Sequence, residues 1–465
     1  MQQLGFRTQK RIFLLSLYSL LAIAAFTKLV SRESFEPLIF GQYSLPYFLF
    51  LIFVATGILL LGLGIYRFGA GIFYLLAGNM IALISFAIPI EVAGQIYAYR
   101  HPAYDVLAWQ PDRVVGWKLV PNLQWVWTGY YWYARDFSVP VKTNSLGFRD
   151  LEREFQKSPD KIRIALIGDS FVEALQVPFE KTAGHLLEEK LNSLTAKRHL
   201  EKPARYEVLN FGISSFGVGQ YLLTFEQYAL KFRPNYVFLF AGQKHMERTV
   251  KRYEEGHFEA TKGRQLWVRP TFRLEGGALV HEAAENFDEF ARIQQKLMET
   301  EFQGARITRR KPGLFIAPWF QNVWRIGETY LMNPLMEFQR KVLNQNKSSE
   351  GTPRGPISDL DGQIVALNLK IIEELGRKVN EIGGRVIIVS DVSRNSEYGS
   401  EILSTTVEEF CREKGLGYIP LGDYLYEAKK RGINWRWAHD AHFNEKGNEI
   451  FADSMYHWLI DHVEI

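Results

Sequence analysis

Residues 163–171 read Arg-Ile-Ala-Leu-Ile-Gly-Asp-Ser-Phe, a short apolar run that stops at a glycine and hands over to an acid and a serine. The run Arg163–Ile167 does not alternate apolar with polar residues. Continuous apolar character over so few residues predicts a strand covered on both faces, which is the habit of parallel sheets.

The same rhythm recurs downstream. Tyr206–Asn210, Tyr236–Phe240, Arg385–Ser390 and Tyr418–Leu421 read as further short strands. Between them, Phe179–Leu194, Gln220–Lys231, Gly362–Ile382 and Ser400–Lys414 carry apolar residues at helical spacing, and Asn444–Ile460 reads as a closing helix. Strands alternating with helices predict an α/β domain, a parallel sheet between two helical layers, over residues 151–465. Residues from about 247 to 355 break the rhythm and read as an insertion. It holds a predicted helix at Glu285–Glu301, a basic run Arg306–Lys311 and a Gly/Pro/Ser/Asn-rich loop at Asn344–Pro356. Ahead of the domain, residues 101–150 form an aromatic-rich lead-in segment with Trp109, Trp117, Trp125, Trp127 and Tyr130–Tyr133. Such aromatics suit a sugar-stacking platform or a membrane belt. A twisted hairpin around Gly129 that fills a sheet is the simpler expectation.

The first hundred residues have a different character. Ile12–Thr27 is uncharged for 16 residues, Leu45–Tyr66 for 22 and Phe68–Ile90 for 23. A bilayer crossing takes roughly 20 mainly apolar residues, so the runs predict a membrane anchor of three helices, near 12–30, 45–66 and 68–92. The first needs Lys28 to snorkel. Alternatively, residues 1–24 are a cleaved signal peptide ending at Ala22-Ile23-Ala24. Arg7, Lys10, Arg11 and Arg67 flank the runs on one side, which places that side in the cytoplasm and everything after residue 100 outside it, on either alternative. Glu91 reads either as a functional intramembrane carboxylate or as an interfacial acid, and its place beside Gly94, Gln95 and Tyr97 favours the interface.

Charge supports this division. Of 55 basic and 51 acidic residues, the first hundred hold seven and three, so the entire net charge of +4 sits in the anchor. The remaining 365 residues are neutral and present no net field to a polyanion, which argues against nucleic acid as a partner. The single cysteine, Cys411, forms no intrachain disulfide.

Four segments carry candidate chemistry. Gly168-Asp169-Ser170-Phe171 follows a predicted strand, where active-site residues of parallel sheets collect, and Ser170 on a tight turn has an exposed hydroxyl and a free N–H; an ordinary Asp/Ser helix cap is the plain alternative. Asn210-Phe211-Gly212 also ends a strand, and the N–H of Gly212 suits an oxyanion hole, or merely a turn. Ala241-Gly242-Gln243-Lys244 offers the Gln243 amide as a second donor. His439-Asp440-Ala441-His442-Phe443-Asn444 offers a base and an acid to fix its tautomer. A metal site wants a third clustered ligand, which the sequence does not display, so no metal and no cofactor are expected.

Serine, glycine, amide and Asp/His in this order, on this strand–helix rhythm, resemble the GDSL-type or SGNH hydrolase family over Arg163–Leu459. The stretch from Gly116-Trp117-Lys118 to Thr143–Asp150 is similar to the lead-in of its membrane-tethered bacterial members. The resemblance implies a three-layer α/β fold with Ser170 as nucleophile, His442 as base and Asp440 orienting His442. It implies an oxyanion hole from the N–H groups of Ser170 and Gly212 and the amide of Gln243. Two positions depart from the family pattern: Gln243-Lys244 replaces the usual Asn-Asp, and Asp440 stands two residues before the histidine, where the family more often has three.

The expected function is a membrane-anchored, extracytoplasmic serine esterase or O-acyltransferase acting on an ester of an envelope carbohydrate or lipid. A transferase would need a membrane protein partner to deliver its acyl donor, since two or three short-looped helices make a poor permeation path. The alternative is a non-catalytic structural or polymer-binding subunit that keeps the fold.

Overall fold

The computed structural model describes residues 2–31, 39–40, 42–43, 45–100, 104–128, 136–197, 204–255, 266–300, 302–309, 362–394, 401–438 and 440–463. The chain divides into two compact units, one containing residues 1–104 and the other residues 105–308 and 355–465.

In the first unit, α1 (Gln2–Val30), α2 (Leu45–Phe68) and α3 (Gly71–Arg100) are continuous helices. Each contains a stretch long and apolar enough to cross a membrane: Thr8–Val30, Tyr47–Phe68 and Gly71–Ile96. At about 1.5 Å per residue these stretches exceed the roughly 30 Å of a bilayer core. α1 passes unbroken through Ala22-Ile23-Ala24. Tyrosines fasten the first two helices, with the Tyr18 hydroxyl donating to Ile58 O (2.5 Å) and Tyr47 to Leu29 O (2.7 Å). α3 continues eight residues past its expected end near residue 92. Its acid does not stop it, because Gln95 Nε2 donates to Glu91 Oε1 at 2.6 Å, an i,i+4 pair along the helix.

The second unit is built on five parallel strands: β1 (Lys161–Gly168), β2 (Arg205–Gly212), β3 (Tyr236–Ala241), β4 (Arg385–Ser390) and β5 (Gly417–Ile419), in the order β5-β4-β3-β1-β2. Both faces are covered. Ala165, Ile167, Leu239 and Ile388 face one core, with α6 (Val218–Gln227) and α9 (Gly362–Glu381); Ile164, Leu166, Phe238 and Ile387 face the other. That second core is closed by α5 (Ala183–Lys197), α11 (Leu421–Lys430) and α12 (Glu445–His462). Burial on both sides is why Ile164–Ile167, Val237–Phe240 and Val386–Val389 are uninterrupted apolar stretches. The remaining α-helices among the described residues of this unit are α4 (Ser170–Glu173), α7 (Gln243–Thr249), α8 (Phe287–Thr300) and α10 (Glu401–Lys414). The fifth predicted strand ends earlier than expected, since Leu421 opens α11.

The lead-in segment contains two antiparallel strand pairs, Trp109–Asp112 with Gly116–Leu119 and Gln124–Thr128 with Ser138–Lys142. Trp109, Trp117 and Trp125 are core residues, so these aromatics fill rather than display. Trp267 of the insertion packs edge-on against both Trp109 (6.5 Å) and Trp117 (5.4 Å), and Phe290 of α8 joins it at 5.3 Å. Arg269, also buried, stacks over Trp117 and donates to Ser215 O (2.9 Å) and Gln220 Oε1 (2.9 Å). The described part of the insertion is therefore built into the same core as the lead-in strand pairs. Tyr130–Tyr133 and Asn344–Pro356 lie outside the described residues.

The chain leaves β1 for β2 on one side and returns to β3 on the other. The carboxyl ends of β1 and β3 thus flank the point where strand order reverses, the usual crevice for ligands in open α/β sheets.

Candidate active site

Ser170 stands at that crevice as the first residue of α4, immediately after β1. Its turn is tightly constrained. Gly168 admits no Cβ, which would meet Val172 Cγ2 at 2.4 Å. Asp169 caps the helix by accepting from the Phe171 N–H (3.0 Å), while the N–H of Ser170 is a first-turn donor that the helix itself leaves unpaired. At the other end, the buried guanidinium of Arg149 donates to the carbonyls of Glu173 (3.4 Å), Ala174 and Val177 (2.6 Å). A cation at a helix C-terminus satisfies its free carbonyls and opposes its dipole. The lead-in segment thereby anchors the helix that carries Ser170.

His442 approaches from the loop before α12. Its Nε2 lies 2.8 Å from Ser170 Oγ, and its Nδ1 lies 2.5 Å from Asp440 Oδ1. Asp440 Oδ1 also accepts the His442 N–H at 2.9 Å, which closes a two-residue turn and explains how an acid at this spacing reaches the ring. With Nδ1–H donated to the carboxylate, Nε2 is left to accept the serine proton. Burial pushes the Asp440 carboxyl up, but the hydrogen bond and charge of His442 outweigh it and hold the group below the usual carboxylate range. The loop is braced by Asn444, which caps α12 at Gly447 N (3.1 Å) and donates to Asn434 O (2.9 Å) and Arg436 O (3.0 Å). The Phe171 ring lies 5.1 Å from the His442 ring and 4.6 Å from Phe443. His439 lies outside the described residues.

The two expected oxyanion donors beyond Ser170 are engaged elsewhere. The Gly212 N–H donates to Asn210 Oδ1 at 2.8 Å. A Cβ at Gly212 would stand 2.2 Å from Glu173 N, so this glycine serves the close passage of α4 over the end of β2. Asn210 completes the clamp by donating from Nδ2 to Val172 O (2.8 Å). The Gln243 amide donates along its own helix to Glu247 Oε1 (3.0 Å), and Lys244 is exposed. In both places a nearer partner takes the donor, which a sequence pattern does not reveal.

Three buried groups beside Ser170 escaped the sequence reading. His245, two residues past Gln243, faces inward and lies 3.0 Å from Asp169 Oδ2. Burial pushes Asp169 up, yet the charge and hydrogen bond of His245 and the charge of Arg248 hold it well below the ordinary range. Glu173 is fully buried; the Ser214 hydroxyl donates to its Oε2, and burial pushes its carboxyl up to about 8. Ser215, in the loop after β2, has a left-handed backbone (φ 65°), held by Arg269 at its carbonyl.

No known family profile matches the chain, and no curated protein matches it. Among solved structures it is similar to TesA at 11% identity and a TM-score of 0.31, covering 64% of this chain and 97% of that one. It is similar to the acetyl xylan esterase AlAXEase at 14% and 0.32, covering 64% and 98%. A third is Axe2, an acetylxylan esterase from Geobacillus stearothermophilus, at 10% and 0.32, covering 64% and 94%. Identities and scores this low carry no inference about activity.

Proposed function

We propose that this chain is a membrane-anchored serine esterase or O-acyltransferase whose α/β unit works outside the cytoplasm on an ester of an envelope carbohydrate or lipid. The observation that carries the reading is the relay Ser170 Oγ, His442 Nε2 (2.8 Å), His442 Nδ1, Asp440 Oδ1 (2.5 Å) at a strand-order switch point. In it, His442 Nε2 takes the Ser170 proton as Oγ attacks the ester carbonyl, Asp440 supports the imidazolium, and the Ser170 N–H faces the developing oxyanion. His442 then returns the proton to the departing alkoxide. The acyl group leaves Ser170 to water in an esterase, or to a sugar hydroxyl in a transferase; a transferase takes its acyl donor through a membrane protein partner.

Arg7, Lys10, Arg11 and Arg67 on the cytoplasmic side support the orientation. The test is hydrolysis of a p-nitrophenyl acetate-type ester by the full-length protein in detergent. Equal rates for wild type and Ser170→Ala would end the catalytic reading.

A second reading, a non-catalytic subunit that binds a polymer, is favoured by the engagement of the Gly212 N–H and the Gln243 amide with other partners. A serine-reactive fluorophosphonate separates the two: labelling lost in Ser170→Ala supports the enzyme, and absence of labelling supports the subunit.

A further inference from the structure

Behind Ser170 lies a buried polar cluster that the relay does not use. Asp169 is 1% exposed and His245 2%. One carboxylate oxygen, Oδ2, takes both His245 Nε2 at 3.0 Å and Arg248 Nη1 at 2.8 Å, while the other caps α4 at the Phe171 N–H. Arg248 Nη1 also reaches Phe216 O at 3.3 Å, in the loop that joins β2 to α6. A single carboxylate thus joins three strand ends: the nucleophile's turn after β1, helix α7 after β3, and the loop after β2.

Capping does not require this. An exposed Ser, Asn or Asp caps a helix equally well, and a buried carboxylate is costly unless its charge is matched. Here two donors from one face of α7 converge on it. The start of α7 is itself confined, since a Cβ at Gly242 would fall on Asp391 Oδ1 at the end of β4. Phe240 adds an edge contact to the His245 ring at 5.3 Å. The donors are therefore as fixed as the carboxylate they hold.

We propose that His245 and Arg248 are positioning residues for the nucleophile: holding Asp169 from behind, they fix the turn that sets Ser170 against His442 and tie that turn to the 213–217 loop. The role presupposes the serine-ester reading for its kinetic consequence, but its geometric consequence stands apart from it.

The test uses the full-length protein in detergent. His245→Phe keeps the ring and removes the donor; His245→Gln keeps an N–H at similar reach. A displacement of the nucleophile by about 1 Å lowers rate by up to roughly 10²-fold, so His245→Phe is expected to lower kcat on the aryl ester roughly 10–100-fold with KM within about twofold. His245→Gln is expected to stay within about fivefold of wild type, and Lys244→Ala, on the exposed side of α7, to match it. In crystal structures, the Ser170 Oγ to His442 Nε2 separation should lengthen beyond about 3.5 Å in His245→Phe and remain a hydrogen bond in His245→Gln. Should His245→Phe fail to fold, Arg248→Lys, which keeps charge but loses the bridge to Phe216 O, is expected to lower kcat about 3–10-fold. An unchanged separation and kcat in His245→Phe, or equal losses in His245→Phe and His245→Gln, would overturn the role. If the wild type hydrolyses no ester, the ester reading falls, and the separation alone decides the positioning role.

Discussion

His442 Nε2 meets Ser170 Oγ at 2.8 Å across 272 residues of chain. Two loops at the carboxyl end of one sheet make this contact. Each is held by its own cap, Asp169 on α4 and Asn444 on α12. The contact is a property of the fold, and the following outcomes are expected from it.

Asp440→Asn preserves the shape of the loop but offers His442 Nδ1 a side chain that no longer stabilises the imidazolium. Ester hydrolysis is expected to fall roughly 10²–10⁴-fold, with KM little changed. The double variant Ser170→Ala/Asp440→Asn should be no worse than Ser170→Ala alone, because members of one relay do not act additively. Additive losses in steady-state kinetics would show that Asp440 acts through something other than His442.

Gly212→Ala retains the backbone N–H, so an oxyanion donor there would survive the change. The steric role predicts otherwise. The new methyl would meet Glu173 N at 2.2 Å, a backbone atom that gives only if α4 moves. A loss of about 1–3 kcal/mol is expected in denaturant unfolding, together with a fall in activity. Unchanged stability would refute the close passage of α4.

Arg149 donates to three carbonyls at the end of α4 and is 1% exposed. Arg149→Met removes the donor from Glu173 O and Val177 O and leaves Ala174 O with only the Val177 N–H at 3.4 Å, at about 1–3 kcal/mol for each carbonyl left unpaired, before relaxation. Arg149→Lys is not expected to restore the loss, since a point charge does not reproduce the guanidinium fork. Thermal unfolding of the three proteins decides it: full recovery by lysine would mean that charge alone matters.

Glu173 gives a pH dependence. Its folded carboxyl is raised to about 8, chiefly by burial, with Ser214, Trp109 and Arg149 pulling the other way. The unfolded carboxyl titrates at about 4.3. The folded state thus binds more protons between those values, and stability falls as pH rises through that window. Glu173→Gln removes the titration, so its Tm advantage over wild type should be small near roughly pH 5 and grow toward pH 8. A constant difference across that range would contradict the raised value.

Cys411 is the only cysteine, and it is 1% exposed, with burial pushing its thiol up to about 12. The wild type should therefore resist maleimide, which makes a clean background for mapping sides. In intact cells an impermeant maleimide is expected to label Lys244→Cys and spare Ala70→Cys, which is exposed in the turn between α2 and α3. The reverse pattern would invert the proposed orientation.

The strands were legible because burial on both faces writes itself as uninterrupted apolar runs; Arg385–Ser390 has the same limits in sequence and structure. Ser170, Asp440 and His442 were legible as positions through the order of short motifs that resembles a known family, not through any local signal of their contact. Gly212 and Gln243 were legible as positions but not as partners. The direction of an N–H or an amide depends on the nearest competing acceptor, here Asn210 Oδ1 and Glu247 Oε1. His245 gave no local signal, since its burial follows from how α7 packs against α6 and α9.

By itself, then, the sequence determined three helices apolar enough for a bilayer, a parallel α/β unit, and the residues at the ends of its strands. These are properties of local periodicity and composition, carried by neighbours a few residues apart. Only the tertiary structure decided that the lead-in strand pairs and the insertion share one aromatic core, that Arg149 closes the nucleophile's helix, and that Asp169 is gripped by His245 and Arg248. Those contacts join segments at least 24 residues apart, and their energies arise from excluding water at places that exist only after the sheet has formed.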